Sequence, residues 1–288
     1  MILYQVPLIP CIMHMLQALR QSLPRLANFL RNIYSCREIV RTMAAHELAN
    51  RYVGTLGGAL WTIAHPVAMI LVYWFVFSVG FKAQGPAGMP FTLYFVSGLL
   101  PWLFFSETIT ASIASVTGNA HLVKKLVFPT EVLPVVHIVA GLVPHAALLA
   151  VFLVLLAHYG IYPNVYMVQL VYYMAMLIVL TLGIGWLLAA LHVFYRDIGQ
   201  AMTVLLNFWF WLTPIVWTIN IVPERYRWLL HLNPFYYLVE GYRNALVYKK
   251  PLWVAPHDAL YFILIAMLLL MSGAAVFRRL KPEFPDML

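Results

Sequence analysis

The stretch Val132–Tyr195 reads VLPVVHIVAGLVPHAALLAVFLVLLAHYGIYPNVYMVQLVYYMAMLIVLTLGIGWLLAALHVFY and contains no aspartate, glutamate, lysine or arginine. About 20 apolar residues cross the hydrocarbon of a bilayer, so this run is too long for one helix. His158-Tyr159-Gly160-Ile161-Tyr162-Pro163-Asn164 near its middle is a turn signal. It divides the run into two spans, roughly Val132–Ala157 and Val165–Leu191. Working outward, four more apolar runs cover Ala59–Phe81, Phe91–Val116, Ile198–Val222 and Ala259–Phe277. The expected fold is all-α, a polytopic membrane protein with six transmembrane helices. The alternation of a barrel strand is missing, and helices satisfy every backbone group within the segment itself.

Composition agrees. The 288 residues are 63% hydrophobic and 10% charged, with a mean hydropathy of +0.84. Soluble domains carry about 25% charged residues. The balance excludes a soluble enzyme, a disordered chain, a coiled coil and a disulfide scaffold. Cys11 and Cys36 lack CxxC spacing and read as free thiols. The opening MILYQVPLIPCIMHMLQ has no basic n-region and carries two prolines, unlike a secretory signal. The net charge of +8 sets topology and gives no reason to expect nucleic acid. Arg20, Arg25, Arg31, Arg37, Arg41, Arg51, Lys124, Lys125, Arg196, Arg278, Arg279 and Lys281 fall on one side of the spans. Lys82, Arg225, Arg227, Arg243, Lys249 and Lys250 fall on the other. That bias places both termini in the cytoplasm and the Gly160 turn outside.

Three segments are not simple spans. Residues 1–57 form an amphipathic N-terminal region ahead of a transmembrane domain over 58–288. Ser22-Leu23-Pro24 starts a helix carrying Leu23, Leu26, Leu30 and Ile33 on one face. Ser35-Cys36-Arg37-Glu38 reads as a capping box for a second helix. Such basic helices lie on a lipid surface, as an anchor or as a docking surface for a soluble partner. Residues 118–128, bracketed by Gly118 and Pro129, make a short helix on the cytoplasmic side. It presents Leu122, Val123, Leu126 and Phe128 to a partner or to its own bundle. Outside, Pro223 opens a helical run over Glu224–Leu232, and Asn233-Pro234 is an N-cap and first-turn proline opening a second, to about Val247. The two read as a re-entrant pair. Glu240 and Arg243, three apart, can pair on one face.

Glu107 is the intramembrane acid, and such a charge is a functional candidate set against a carboxyl hydrogen-bonded within the bundle. His137 and His145 lie eight apart on one face, too far apart along the helix to share a metal, and read as interior hydrogen-bonding residues. Trp209, Trp211, Trp217, Tyr226, Trp228, Tyr236, Tyr237 and Tyr242 cluster near the outer segment. Aromatic faces stack on sugar rings and tolerate sliding, which fits a glycan path; an interfacial belt is the alternative. The chain has no GxxxxGK[ST], GxSxG or HExxH. Ten acidic residues, nearly all outside the spans, argue against a proton-relay pump.

Four stretches together carry a resemblance. They are Arg51-Tyr52-Val53-Gly54-Thr55-Leu56-Gly57 with Leu60-Trp61 and His65-Pro66; Lys124-Lys125-Leu126-Val127-Phe128-Pro129-Thr130-Glu131-Val132-Leu133-Pro134; Phe194-Tyr195-Arg196-Asp197-Ile198; and Asn233-Pro234-Phe235 with Glu240-Gly241-Tyr242-Arg243-Asn244. In this order the chain resembles the membrane subunit of ABC-2-type polysaccharide exporters, which move O-antigen, capsule or teichoic-acid chains. The resemblance covers roughly Leu48 to the C-terminus. It implies a separate nucleotide-binding ATPase subunit that binds ATP and magnesium, with no cofactor, metal or catalytic residue in this chain. It implies that Gly118–Phe128 is a coupling helix, with Leu122, Val123, Lys124, Lys125 and Phe128 facing the ATPase, and that the amphipathic helix is an interface helix beside it. The Pro223–Val247 pair would be external gate helices with Glu240 and Arg243. A homodimer would enclose one channel in the bacterial inner membrane, passing an undecaprenyl-linked O-antigen polysaccharide. The rivals are a capsule or teichoic-acid exporter, a membrane enzyme acting on lipid-linked sugar with Glu107 and Glu240 as its acids, and an ion-coupled carrier.

Overall fold

The computed structural model describes residues 31, 33–50, 58–125 and 128–288. The helix expected from Leu23, the Arg51–Gly57 motif, and Leu126 and Val127 lie outside the described residues, as does the Lys125 side chain. Helix is the regular structure throughout; the described residues contain no strand beyond one isolated bridge, Gln84 to Pro90. Helix α1 is Arg37–Asn50, and its Val40 and Ala44 pack on Val132, Val136 and Ala140. The Ser35 hydroxyl donates back to the Arg31 carbonyl at 3.1 Å, a bond within a preceding helical turn.

Among the described residues, five helices are long and apolar enough to cross a membrane: Ile63–Gly80, Phe91–Ile113, Val132–His158, Val165–Phe194 and Pro256–Met287. Within them α2 is Trp61–Trp74, running on into a wider π-type coil over Phe75–Gly80. The others are α3, Phe91–Ile113; α5, Val132–His158; α6, Gln169–Phe194; and α9, Pro256–Leu280. The short helix between α3 and α5, Ala120–Lys125, is α4. Burial divides the spans. Helix α3 is the hub, with 78% of its apolar window buried, whereas only 6% of the Ile63–Gly80 window is buried. So α3 is wrapped by α5, α6 and the helix Pro234–Arg243, while the first span lies against the bundle edge and leaves most of its surface uncovered.

Helices α6 and α9 form the closest pair. Gly183 and Gly273 remove the side chains at their crossing, and a Cβ on Gly183 would lie 2.6 Å from the Leu269 carbonyl carbon. Small residues at a crossing let two backbones approach and gain dispersion contacts, which lipid cannot provide by a hydrophobic effect. Asp258 in the first turn of α9 and Arg278 and Arg279 in its last complement the helix dipole and mark the ends of the apolar run.

The fifth expected span differs from the structure. Helix α7, Asp197–Leu212, has 16 residues and stops well before Val222. At 1.5 Å per residue it is about 24 Å long, less than the hydrocarbon thickness. The cause is Pro214, whose ring disfavours helical backbone at the preceding residue. Thr213 is accordingly extended, at φ −93 and ψ 133. Beyond it the chain makes short turns, a single helical turn Trp228–His231, and then α8, Pro234–Arg243. Helix α8 packs against α3, α6 and α9, burying Phe235, Tyr237, Leu238, Val239, Tyr242 and Arg243.

Candidate functional site

The break after α7 frees backbone carbonyls that the helix would have bonded, and these need donors. Arg243 supplies donors to two of them. Its guanidinium is fully buried, donating to Pro214 O at 2.7 Å, Ile215 O at 3.1 Å and Tyr94 O at 3.3 Å. The remaining edge pairs with Glu240 Oε1 at 2.6 Å, as the spacing on α8 anticipates. Tyr94, on α3, lies under the guanidinium, 3.6 Å from ring centroid to Cζ, and donates its hydroxyl to Trp217 O at 2.8 Å. Gly98 makes the room: a Cβ there would lie 2.8 Å from an Arg243 nitrogen. A buried arginine holding carbonyls and a carboxylate is satisfied at each nitrogen, and that satisfaction keeps it charged away from water. Burial raises the nearby Tyr248 hydroxyl to about 12, with the Glu240 carboxylate adding to it, so this phenol stays neutral.

Asn233 closes the same knot. Its Oδ1 accepts from Phe235 N at 3.0 Å, which caps α8, and from Trp209 Nε1 at 2.7 Å; its Nδ2 donates to Thr213 Oγ1 at 2.8 Å. The cap and the break in α7 are thus one hydrogen-bonded unit, with Pro234 in the first turn of α8 as expected.

The eight aromatic candidates separate by exposure. Trp209 packs edge-on to Phe105 and Phe235. Tyr237 stacks on Phe262 at 5.1 Å, and Tyr242 hydrogen-bonds His145 Nε2 at 3.2 Å. The rings of Tyr237 and Tyr242 are covered by the chain's own helices. Trp217 and Tyr236 are half-buried, Trp217 donating to Trp211 O at 2.9 Å. Trp211, Tyr226 and Trp228 present open faces, being 54%, 45% and 58% exposed. His145 is thus an interior hydrogen-bonding residue, while His137 Nδ1 lies 3.6 Å from Glu47 Oε1 on α1.

Beside Trp211 is a cleft of about 730 Å³ between α3 and α7. Ser106, Glu107, Thr110, Thr203 and Asn207 line it, with Tyr73 of α2 at its edge. Glu107 also borders a smaller cavity of about 210 Å³ together with His65, Thr108 and His145. The Thr110 and Thr203 hydroxyls and the Asn207 amide each donate to the carbonyl four residues back. Their remaining acceptor oxygens are free to meet water or a polar ligand. Helix α7 buries Met202, Leu206 and Phe210 on one stripe and exposes Thr203, Val204, Leu205, Asn207 and Phe208. Sequence reading placed Glu107 within a span but passed over Thr203 and Asn207, although four-residue spacing on an apolar helix was there to find.

At the other end of α3, Ser115–Gly118 and α4 carry the 118–128 segment. Asn119 Nδ2 donates to Ser115 O at 2.9 Å, so the turn between these two helical pieces is tied to the first of them. His121 and Lys124 are exposed and Leu122 is half-buried. Val123 is 7% exposed and turns into a cluster with Val116, Leu133, Trp186 and Phe284, while half-buried Phe128 packs beside it. Of the two uses that the pattern allows, Val123 serves the bundle, and the outward face is made by His121, Leu122 and Lys124.

Residues 38–247 match the ABC-2 type transporter family. The chain is 28% identical over 243 residues to the O-antigen export system permease protein RfbA of Klebsiella pneumoniae, which covers 84% of this chain and 92% of that protein. It is 29% identical over 259 residues to the protein of that name in Myxococcus xanthus, covering 89% and 98%. The polysialic acid transport protein KpsM of Escherichia coli is 22% identical over 241 residues, covering 83% and 92%. With residues 38–247 matched, most of its length, this chain belongs to the ABC-2 type transporter family.

Proposed function

We propose that the chain is the membrane subunit of an ATP-driven exporter that moves lipid-linked O-antigen polysaccharide across the bacterial inner membrane. A separate ABC ATPase binds ATP and magnesium and drives it. The O-antigen assignment rests on the relatives in Klebsiella and Myxococcus, which are more similar than the polysialic acid transporter. The observation that carries the transport reading is the cleft lined by Ser106, Glu107, Thr110, Thr203 and Asn207. Polar side chains on spanning helices are costly against lipid and belong against protein or water. A second copy, apposed through the exposed sides of α2 and α7, would turn the open cleft into a hydrated path. The short α7 and the turns to Val222 together make the fifth of six crossings, α8 dips back as the gate, and both termini face the cytoplasm. Trp211, Tyr226 and Trp228 would offer stacking faces at the outer end.

Single cysteines at Thr203, Asn207 and Phe208, with Cys11 and Cys36 replaced by serine, test the pairing. Bifunctional maleimides in native membranes are expected to give covalent dimers at these positions but not at Val154, exposed on α5. Cross-linking at Val154 alone would place the interface elsewhere and remove the channel.

The outward face of α4 is the proposed ATPase contact. Leu122→Asp is expected to leave chain abundance unchanged and to lower export on the order of ten-fold, within the usual range of coupling energies. Val123→Asp, which buries a charge, is expected to lower abundance itself. Surface polysaccharide at matched membrane levels reads the first effect and immunoblotting the second. Normal export by Leu122→Asp would remove α4 from the coupling.

A further inference from the structure

We propose that the C-terminal segment, residues 281–288, is a brace that positions the ATPase-facing helix α4, with Lys281 and Phe284 as its two positioning residues. This rests on the reading of α4 as the coupling helix.

Lys281–Glu283 turns the chain back, and a final helical turn, Phe284–Met287, packs against α4. Phe284 is fully buried, with its ring edge-on to Phe277 of α9 at 5.3 Å and tilted against Phe194 of α6 at 6.3 Å. It belongs to the same apolar cluster as Val123, the inward side chain of α4. One aromatic therefore joins α6, α9 and the helix proposed to meet the ATPase.

The second tie is polar. Lys281 Nζ lies 2.5 Å from Glu131 Oε2. Glu131 is 7% exposed and immediately precedes α5, at the downstream end of the segment that carries α4. Its backbone carbonyl accepts from Trp186 Nε1 of α6 at 3.0 Å, and that indole is fully buried. A carboxylate so far from water needs a cation, and Lys281 supplies it. The segment is thus tied upstream by Asn119 to the Ser115–Gly118 turn and downstream by Glu131 to α6 and to the end of α9. A push on α4 is then delivered to α5, α6 and α9 together, and is not absorbed by a hinge at Pro129.

The test uses the full chain purified with the ATPase that accompanies it from native membranes. Amide exchange over 120–125 reports how firmly α4 is held. Export at matched complex abundance, divided by ATP hydrolysis, reports coupling. Lys281→Ala and Phe284→Ala are expected to speed exchange over 120–125 and to lower export per ATP about five-fold or more. Lys281→Arg, and the charge-swapped pair Glu131→Lys with Lys281→Glu, are expected to restore both. A contact that serves folding alone would lower complex abundance and leave export per ATP unchanged, and that result overturns the brace. So does unchanged exchange and coupling in Lys281→Ala while Leu122→Asp uncouples, an outcome that leaves the coupling reading standing. If Leu122→Asp also exports normally, the coupling reading itself has failed.

Discussion

Arg243→Gln is expected to remove most of the folded protein from the membrane. The guanidinium holds Pro214 O, Ile215 O and Tyr94 O and pairs with Glu240. Glutamine reaches at most one or two of these acceptors and leaves the Glu240 carboxylate without its cation. Breaking a buried ion pair from one side costs about 3–5 kcal/mol, a large fraction of the stability of most domains. Arg243→Lys keeps the charge but not the planar fork, and a point charge cannot reach carbonyls on two sides of itself. It is expected to fall between glutamine and the native residue. Tyr94→Phe removes the hydroxyl's bonds to Trp217 O and Pro214 O and should cost about 1–2 kcal/mol. Thermal unfolding in detergent, with abundance measured in membranes, orders the series. A native melting midpoint for Arg243→Gln would show that the carbonyls find water and that the clamp carries little.

The same clamp shows what the sequence made legible and what it did not. The alternation of apolar runs with turn signals gave the α5–α6 division at Gly160, because a break in a long apolar run needs only local chemistry. Asn233-Pro234 marked the start of α8, and Glu240 with Arg243 marked a pair, both within one helix. Length alone could not locate the end of α7. Apolar residues continue from Thr213 to Val222, and the decisive fact is the restriction that Pro214 places on Thr213. Tyr94 was invisible as a partner because it lies 149 residues from Arg243. The exposed aromatics could not be told from the buried ones either. Tyr236 and Tyr237 are neighbours in sequence, yet a turn of helix sends one toward His231 and the other onto Phe262. Lys281 read as one more charge at a membrane boundary, when its partner Glu131 lies 150 residues away. Local signals report element type; contacts between distant elements decide which side of an element is used.

That division between covered and uncovered surfaces also orders the spans by role. Helices α3, α6 and α9 are locked by the clamp and by close packing, while α2 and α7 keep exposed sides beside the polar cleft. A transporter needs both kinds: a rigid part to transmit force and a weakly packed part free to rearrange around cargo. Trp211 stands on the second kind, and the Arg243 knot joins it to the first.

Gly273→Val is the second large effect. A Cβ on Gly273 would penetrate the Gly183 carbonyl group on α6, and a backbone atom cannot swing away as a side-chain tip can. The helices must separate along their whole contact, which includes Ala189, Ala190 and Ala274 in the apolar cluster around Trp186. Overpacking of this kind costs about 1–3 kcal/mol even in cores that adjust, and valine adds two methyl groups to the clash. Gly273→Ala and Gly183→Ala are both expected to lower membrane abundance several-fold, and Gly273→Val further. Gly118→Ala is the control, since nothing lies within 4 Å of its Cβ position. Because α9 leads directly into Lys281 and Phe284, separating it from α6 also draws the C-terminal segment away from α4. Gly273→Ala protein that does reach the membrane is therefore expected to export less than its abundance allows. If that protein instead exports in proportion to its amount, the α6–α9 crossing serves stability alone and transmits nothing to α4.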